Sequence, residues 1–105
     1  MEPDQEMWLA RLIRGGGPAA QRARRHFVTA NTRLVVGVAR TYEGRGVALD
    51  ELVHAGNEGL LRAAEQFDWR GRRDFAPYAA SWIRQSIQHA LDRETVAAAR
   101  FRRPA

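Results

Sequence analysis

Residues 50–67 read DELVHAGNEGLLRAAEQF and carry the clearest structural pattern in the chain. Their apolar and small residues recur at spacings of three and four, which predicts a helix with one buried face. The predicted face consists of Leu52, Val53, Gly56, Leu60, Ala63, Ala64 and Phe67. Gly56 and Gly59 both lie within this stripe. Each glycine weakens a helix by about 1 kcal/mol relative to alanine. We therefore expect another helix to pack closely against this segment.

Helical spacing also precedes this segment. A short first helix is predicted over residues 4–13, and the three glycines at 15–17 end it. Pro18 suits the first turn of a second helix because its missing N–H is not needed there. The apolar spacing extends this second helix as one piece to about Tyr42.

Downstream, Asp50 is a good N-cap residue and predicts where the third helix starts. Residues 68–74 form a charged loop, and Pro77 suits the first position of a fourth helix. The predicted fold is all-α, a compact bundle of three long helices plus a short N-terminal helix. We divide the chain into an N-terminal segment, a helical domain and a basic tail that leads to a missing next domain, over residues 1–16, 17–96 and 97–105.

The composition excludes several classes of protein. The chain has 105 residues, 45% of them hydrophobic, which suits one domain with a real core. It has no cysteine, which excludes disulfides, thiolate metal sites and cysteine nucleophiles. No apolar run approaches the roughly 20 residues of a membrane span. The three histidines lack metal-ligand spacing, so we predict no enzyme, cofactor or metal.

The positive charge is concentrated at one end of the chain. Residues 1–68 contain nine arginines and nine acids, whereas residues 69–105 contain eight arginines and three acids. The net charge of +5 therefore lies entirely in the last third. A one-sided basic end indicates a polyanionic partner, most often nucleic acid, and a solvated basic tail is the alternative.

Aromatic rings and arginines alternate around this basic region. The run consists of Phe67, Trp69, Arg70, Arg72, Arg73, Phe75, Tyr78, Trp82 and Arg84. Rings stack on unpaired bases and arginines hold phosphates, so this composition predicts a surface for single-stranded nucleic acid. The spacing of Phe67 and Phe75 favours the core instead. Tyr78 and Trp82 share a face, which the spacing leaves as either inner or outer.

A polar face follows on the fourth helix. Its members, spaced by three, one and three, are Ser81, Arg84, Gln85 and Gln88. Arginine and glutamine side chains read base edges in a major groove. An ordinary exposed polar face has the same spacing and is the alternative.

Six fragments in order make the chain resemble region 2 of the sigma-70 family of bacterial transcription initiation factors. They are NTRLVV at 31–36, YEGRG at 42–46, ELVHAGNEGL at 51–60, FD at 67–68, FAPYA at 75–79 and WIRQ at 82–85. The resemblance covers about residues 9–103, and residues 1–16 look like the end of region 1.2. It implies an all-helical, cytoplasmic and nucleoid-associated protein that binds core RNA polymerase and promoter DNA.

The resemblance also implies which residues do this. The third helix would dock on the clamp coiled coil of the largest polymerase subunit through Asp50, Glu51, Val53, His54, Asn57 and Glu58. Flipped bases of the single-stranded non-template −10 element would be captured by Phe67, Trp69, Phe75, Tyr78 and Trp82. Gln85 and Gln88 match positions that read its duplex edge, and Arg84 suits a phosphate. The family positions near the pocket for a downstream flipped base correspond to Asn31, Arg33 and Leu34.

Three departures from the family pattern point to an alternative rather than a housekeeping type. Ser81-Trp82 stands where two tryptophans are usual, Arg73 replaces an aromatic residue, and His54-Ala55 replaces Gln-Glu. The competing hypothesis is a free-standing interaction module that binds the clamp or an anti-sigma protein without reading DNA. The expected next domain, a helix-turn-helix, does not follow within this chain, which is either a fragment or a free-standing protein. Met1 favours a native N-terminus.

Overall fold

The computed structural model describes residues 3–71 and 74–101, and side chains over 4–71 and 74–97. Within these ranges the chain forms five helices, in the order α1 Pro3–Gly15, α2 Gly17–Ala30, α3 Thr32–Arg40, α4 Leu49–Gln66 and α5 Phe75–Phe101. Over the described ranges there is no strand, so the predicted all-α class is confirmed. None of these helices is long and apolar enough to cross a membrane.

The core lies where α4 crosses α5, and glycine makes the close crossing possible. A Cβ built on Gly59 would lie 2.5 Å from the carbonyl oxygen of Trp82 and 2.9 Å from the Cα of Ile83. One built on Gly56 would lie 2.8 Å from a methyl group of Val35 in α3. Both glycines are thus required by packing, as the sequence predicted. The predicted buried face is also confirmed, with Val53 half-buried.

The second helix is two helices, which corrects the single helix predicted to Tyr42. Asn31 separates α2 from α3 with φ −111° and ψ 18°, outside helical geometry. Its side-chain Nδ2 donates to the carbonyl oxygen of Phe27 at 2.9 Å, and the Thr32 hydroxyl donates to that of Thr29 at 2.9 Å. Short polar side chains that bond the preceding turn compete with the backbone ladder and bend a helix.

Two predicted helix starts are displaced. Ala48, not Asp50, is the N-cap of α4, and Asp50 lies in the first turn, where its carboxylate accepts the backbone N–H of Glu51 at 2.9 Å. A carboxylate in the first turn still interacts favourably with the helix dipole. Pro77 is the third residue of α5 instead of the first, which it tolerates because the first four N–H groups of a helix lack partners. At its other end α5 runs to Phe101, into the segment predicted as a tail.

The short α1 is tied to the end of α4. Gly16, with φ 71°, turns the chain between α1 and α2, as the glycine run predicted. The Arg14 guanidinium then donates to the carbonyl oxygens of Glu65 and, at 3.2 Å, of Phe67. Arg24 of α2 pairs with the Glu65 carboxylate at 3.5 Å. The last turn of α4 contains no basic residue, so α1 supplies the positive charge that its free carbonyls favour.

Candidate nucleic-acid interface

Five rings from the end of α4, the following loop and the start of α5 form an aromatic cluster: Phe67, Trp69, Phe75, Tyr78 and Trp82. Two of them, Phe67 and Phe75, are buried, at 5% and 6% exposure. Their rings meet edge to face at 5.3 Å, and Phe75 also packs against Phe27 of α2. Phe67 and Phe75 are therefore core residues, as their spacing predicted, and base capture by direct stacking on them is not available.

Trp69 lies at the edge of this cluster and is half-buried. Its indole stacks on Phe75 at 5.0 Å and 22°, and meets Phe67 edge to face at 4.7 Å. Its Nε1–H donates to the carbonyl oxygen of Ala64 in the last turn of α4, at 3.2 Å. These contacts fix the orientation of a ring that stands in a loop.

Tyr78 and Trp82 are both half-buried, which answers the question of inner or outer face that their spacing left open. Their ring centroids are 6.3 Å apart, and Tyr78 rests on the buried Phe67 ring at 5.0 Å. Each of the two side chains thus has a packed side and a solvent side. Rings supported from behind and open in front are suited to stacking with a flat ligand.

The polar face predicted on α5 is exposed along its length. Ser81, Arg84, Gln85 and Gln88 all belong to the exposed class. Arg84 donates weakly to the Ser81 hydroxyl at 3.4 Å, and the Gln88 amide donates to Asp92 at 3.1 Å. Between residues 75 and 91 α5 contains no acid, so this face lacks negative charge up to Asp92.

The predicted downstream residues lie at the bend between α2 and α3. Arg33 is exposed, whereas Asn31 and Leu34 are half-buried. The Asn31 amide is already bonded to the carbonyl oxygen of Phe27, whose ring contacts Phe75 at 5.5 Å. The bend is therefore connected to the aromatic cluster through one buried residue.

The residues predicted to bind polymerase occupy a different part of α4, which we call the acidic face. Asp50, Glu51, His54 and Glu58 are exposed, and Val53 and Asn57 are half-buried. His54 and Glu58 approach to 3.5 Å, both well exposed. The face borders an α4–α5 groove of about 430 Å³ that includes Ala90, Arg93, Glu94 and Ala97 of α5. Sequence reasoning missed this contribution of α5 because residues far apart in the chain give no shared periodicity.

A second groove, the α1 groove, was also missed. It has a volume of about 360 Å³ and is lined by Met7, Arg11, Arg14, Phe67, Asp68, Trp69 and Arg70. Of these, only the rings and Arg70 were predicted to contact nucleic acid. Two further predicted DNA contacts, Arg72 and Arg73, lie outside the described residues. In the described part of the chain, no group of three His, Asp or Glu side chains is placed to hold a metal ion.

Comparison with known proteins gives one consistent result. Residues 27–96 match the family described as sigma-70 region 2. The chain is 42% identical over 88 residues to RNA polymerase sigma factor SigA of Lactococcus lactis subsp. cremoris, covering 84% of this chain and 24% of that protein. It is 41% identical over 91 residues to the SigA of Clostridium acetobutylicum, covering 87% of this chain and 23% of that protein. The chain thus spans about a quarter of the length of these relatives.

Proposed function

The chain belongs to the sigma-70 family as its region 2, and from this membership we propose that it binds core RNA polymerase and recognises and melts the promoter −10 element. The observation that carries the DNA part is the juxtaposition on α5 of two half-exposed rings, Tyr78 and Trp82, with an exposed polar face free of acids. The rings hold unpaired bases, and the polar face contacts the adjacent duplex.

Strand opening by this surface requires that stacking offsets unstacking. Flipping a base costs a few kcal/mol, and stacking on an aromatic side chain returns about 1–3 kcal/mol per base. Tyr78 and Trp82 supply two such surfaces and Trp69 a third. Trp69 packs on the buried Phe67 and Phe75 rings, Tyr78 rests on Phe67, and Trp82 packs beside Tyr78. Because the rings are already held in place, little entropy is lost when a base binds.

The polar face of α5 reads the duplex edge of the same element in this proposal. A glutamine amide pairs with adenine through two hydrogen bonds, and an arginine holds a phosphate. Gln85 and Gln88 are exposed for the first role and Arg84 for the second. At the bend between α2 and α3, Arg33 and the exposed part of Leu34 contact the strand downstream, where Asn31 offers its amide oxygen.

The acidic face of α4 binds the clamp coiled coil of the largest polymerase subunit in this proposal. Asp50, Glu51 and Glu58 present carboxylates to solvent, which favours a basic partner surface. Glu51 and Phe67 lie at opposite ends of α4, which is about 27 Å long. Polymerase and DNA can therefore occupy the chain at the same time.

The DNA part is tested with a labelled single strand that contains a TA-rich −10 motif and with a scrambled strand of equal composition. We expect the motif to bind more tightly at moderate salt, and Trp82→Ala to weaken it about tenfold, as loss of one stacked base predicts. Arg45→Ala, which removes a charge at the far end of α4, serves as the control. Equal affinity for both strands would contradict sequence recognition.

A second candidate function is favoured by Ser81. This exposed serine stands beside Trp82 where the family usually has a second ring, so the chain retains the acidic face but lacks part of the melting surface. In this case it binds the clamp, or an anti-sigma protein, without reading DNA. Capture of a clamp coiled-coil fragment that is lost in Glu51→Lys, together with no DNA preference, would favour this function over the first.

A further inference from the structure

The outer side of α2 and α3 is a basic surface that contains no acid. Residues 17–42 include five of the seventeen arginines in the chain and none of its twelve acidic residues. Six exposed positions follow one another along this side at spacings of three and four, and we call them the α2–α3 basic face. They are Arg22, Arg25, Thr29, Arg33, Gly37 and Arg40. Sequence reasoning singled out only Arg33 among them, so the charge of the face as a whole is unexplained.

The basic face is continuous although α2 and α3 are separate helices. The buried residues on the opposite side keep their helical spacing across the bend at Asn31. They are Ala20, Ala23, Phe27, Val35 and Ala39. The two helices therefore turn the same side outward. From Arg22 to Arg40 the face is about 27 Å long, at about 1.5 Å per residue.

The guanidinium groups of the basic face have no partner within the protein. In the described part of the chain, those of its four arginines form no hydrogen bond or ion pair. Arg24, on another side of α2, pairs instead with Glu65 of α4. Unpaired cations that lie close together without an acid produce a positive potential, which attracts a polyanion.

We propose that the α2–α3 basic face binds the phosphate backbone of duplex DNA, whatever its sequence. This goes beyond the proposed function, because it requires neither base reading nor strand opening. A guanidinium group matches a phosphate with two parallel hydrogen bonds, and phosphate contacts position a protein on DNA without specifying a sequence. Duplex DNA carries one such charge per about 1.7 Å of its axis. A face of this length therefore contacts several phosphates at once.

The composition of the basic face favours a duplex over other polyanions. It contains no aromatic ring, and rings are what hold the unpaired bases of a single strand. It also exposes no large apolar side chain, since the well-exposed ones in the described part of the chain, Trp8 and Val96, lie on α1 and α5. The centre of a stable protein interface is more apolar than this, which argues against an acidic protein.

The test measures binding of this chain to a short duplex without a TA-rich motif, over a range of salt concentrations. Arg25→Ala should weaken binding about threefold to tenfold and reduce the salt slope by about 0.9, the value for one phosphate on B-DNA. Arg62→Ala, which removes an exposed arginine from α4, is the matched control and should leave both within error. Both changes place alanine at an exposed helical position, where it favours the helix, so the fold should be retained. Equal losses in the two variants, or no measurable duplex binding, would overturn the proposal.

The same assay identifies the kind of polyanion. Poly-glutamate is added as a competitor at the same concentration of negative charge as the duplex. We expect it to displace the duplex only in large excess. Equal competition would assign the face to an acidic polypeptide and overturn the proposal. Because the duplex contains no −10 motif, a failure of −10 recognition would leave these results standing.

A second measurement locates the DNA on the protein. The chain has no cysteine, so Thr29→Cys introduces a unique thiol at the centre of the basic face for an iron–EDTA reagent that cleaves nearby DNA. We expect cleavage all along the motif-free duplex, as binding without regard to sequence requires. Glu58→Cys, at an exposed position of α4, is the control and should cleave little. Equal cleavage from the two positions would contradict binding at this face.

Discussion

The indole Nε1–H of Trp69 donates to the carbonyl oxygen of Ala64, 3.2 Å away across the end of α4. A carbonyl in the last turn of a helix has no partner within the helix, so this bond satisfies it. The same bond fixes the ring that stacks on Phe75 and lines the α1 groove. One contact thus links helix termination to the proposed binding surface.

Replacing Trp69 separates these two roles. Trp69→Phe retains a ring but loses the hydrogen bond, and we expect it to lower the free energy of unfolding by about 1 kcal/mol. Trp69→Ala also loses the stacking and should cost about 2–3 kcal/mol, somewhat less than a fully buried tryptophan. Urea unfolding measures both. Single-strand affinity should fall more in the alanine variant, and equal affinities would show that the ring contacts no base.

Gly59→Ala should be strongly destabilising because the new methyl group would meet backbone atoms of α5. The nearest, the carbonyl oxygen of Trp82, lies 2.5 Å from the Cβ position and cannot rotate away. We expect a loss of about 3 kcal/mol, at the upper end for overpacking. Gly37→Ala in α3 is the matched control, since nothing lies within 4 Å there. It should stabilise by about 0.5–1 kcal/mol, and a stabilising Gly59→Ala would contradict the close crossing.

Arg14→Ala should loosen the junction of α1 with α4. It removes donors to the carbonyl oxygens of Glu65 and Phe67, and charged hydrogen bonds contribute about 1.5–3 kcal/mol. Because these hydrogen bonds are partly exposed to solvent, we expect the loss in the free energy of unfolding to lie near the lower end of this range. In Arg14→Ala, amide hydrogen exchange should become faster in α1 than in the unmodified protein, with little change in α5. The control Arg22→Ala, on the exposed side of α2, should leave exchange in both helices unchanged. Uniform acceleration along the chain would speak against a local role.

Ser81→Trp should increase promoter melting. Ser81 is exposed beside Trp82, so a second ring can be added without disturbing the core. With core polymerase and duplex promoter DNA, fluorescence of 2-aminopurine within the −10 element should rise as the strands separate. Ser81→Ala, which removes only the weak contact from Arg84, is the control. No gain over that control would count against a wedge role at this position.

Glu6 of α1 gives a pH dependence. Burial raises the pKa of its carboxyl above the ordinary 4.5, because the charged form is poorly solvated there. The folded state therefore binds this proton more tightly, and its contribution to stability is full below pH 4.5 and lost as pH rises through the folded pKa. Glu6→Gln should be more stable than the original at pH 7 and equal to it at pH 3.5. Thermal unfolding at the two pH values tests this, and a less stable Glu6→Gln at pH 7 would contradict the sign.

Periodicity and residue chemistry were enough for the helical class, the buried face of α4 and the polar face of α5. These are local properties, since a spacing of three and four places residues on one side of a helix whatever surrounds it. The two glycines of α4 likewise predicted that another helix packs closely against it. The family itself could be identified from six short fragments in order.

Other features depend on which distant residues meet, and periodicity carries no information about that. The bend at Asn31 arises from side-chain bonds to the preceding turn, which compete with a helix pattern that looks continuous. Burial of Phe67 and Phe75, and half-burial of Tyr78 and Trp82, follow from how α5 packs on α4 and α2. The α1 groove depends on where α1 packs. That position is set by the buried Ala10 and Ile13 and by the bonds of Arg14 to carbonyls that lie 51 and 53 residues further along the chain.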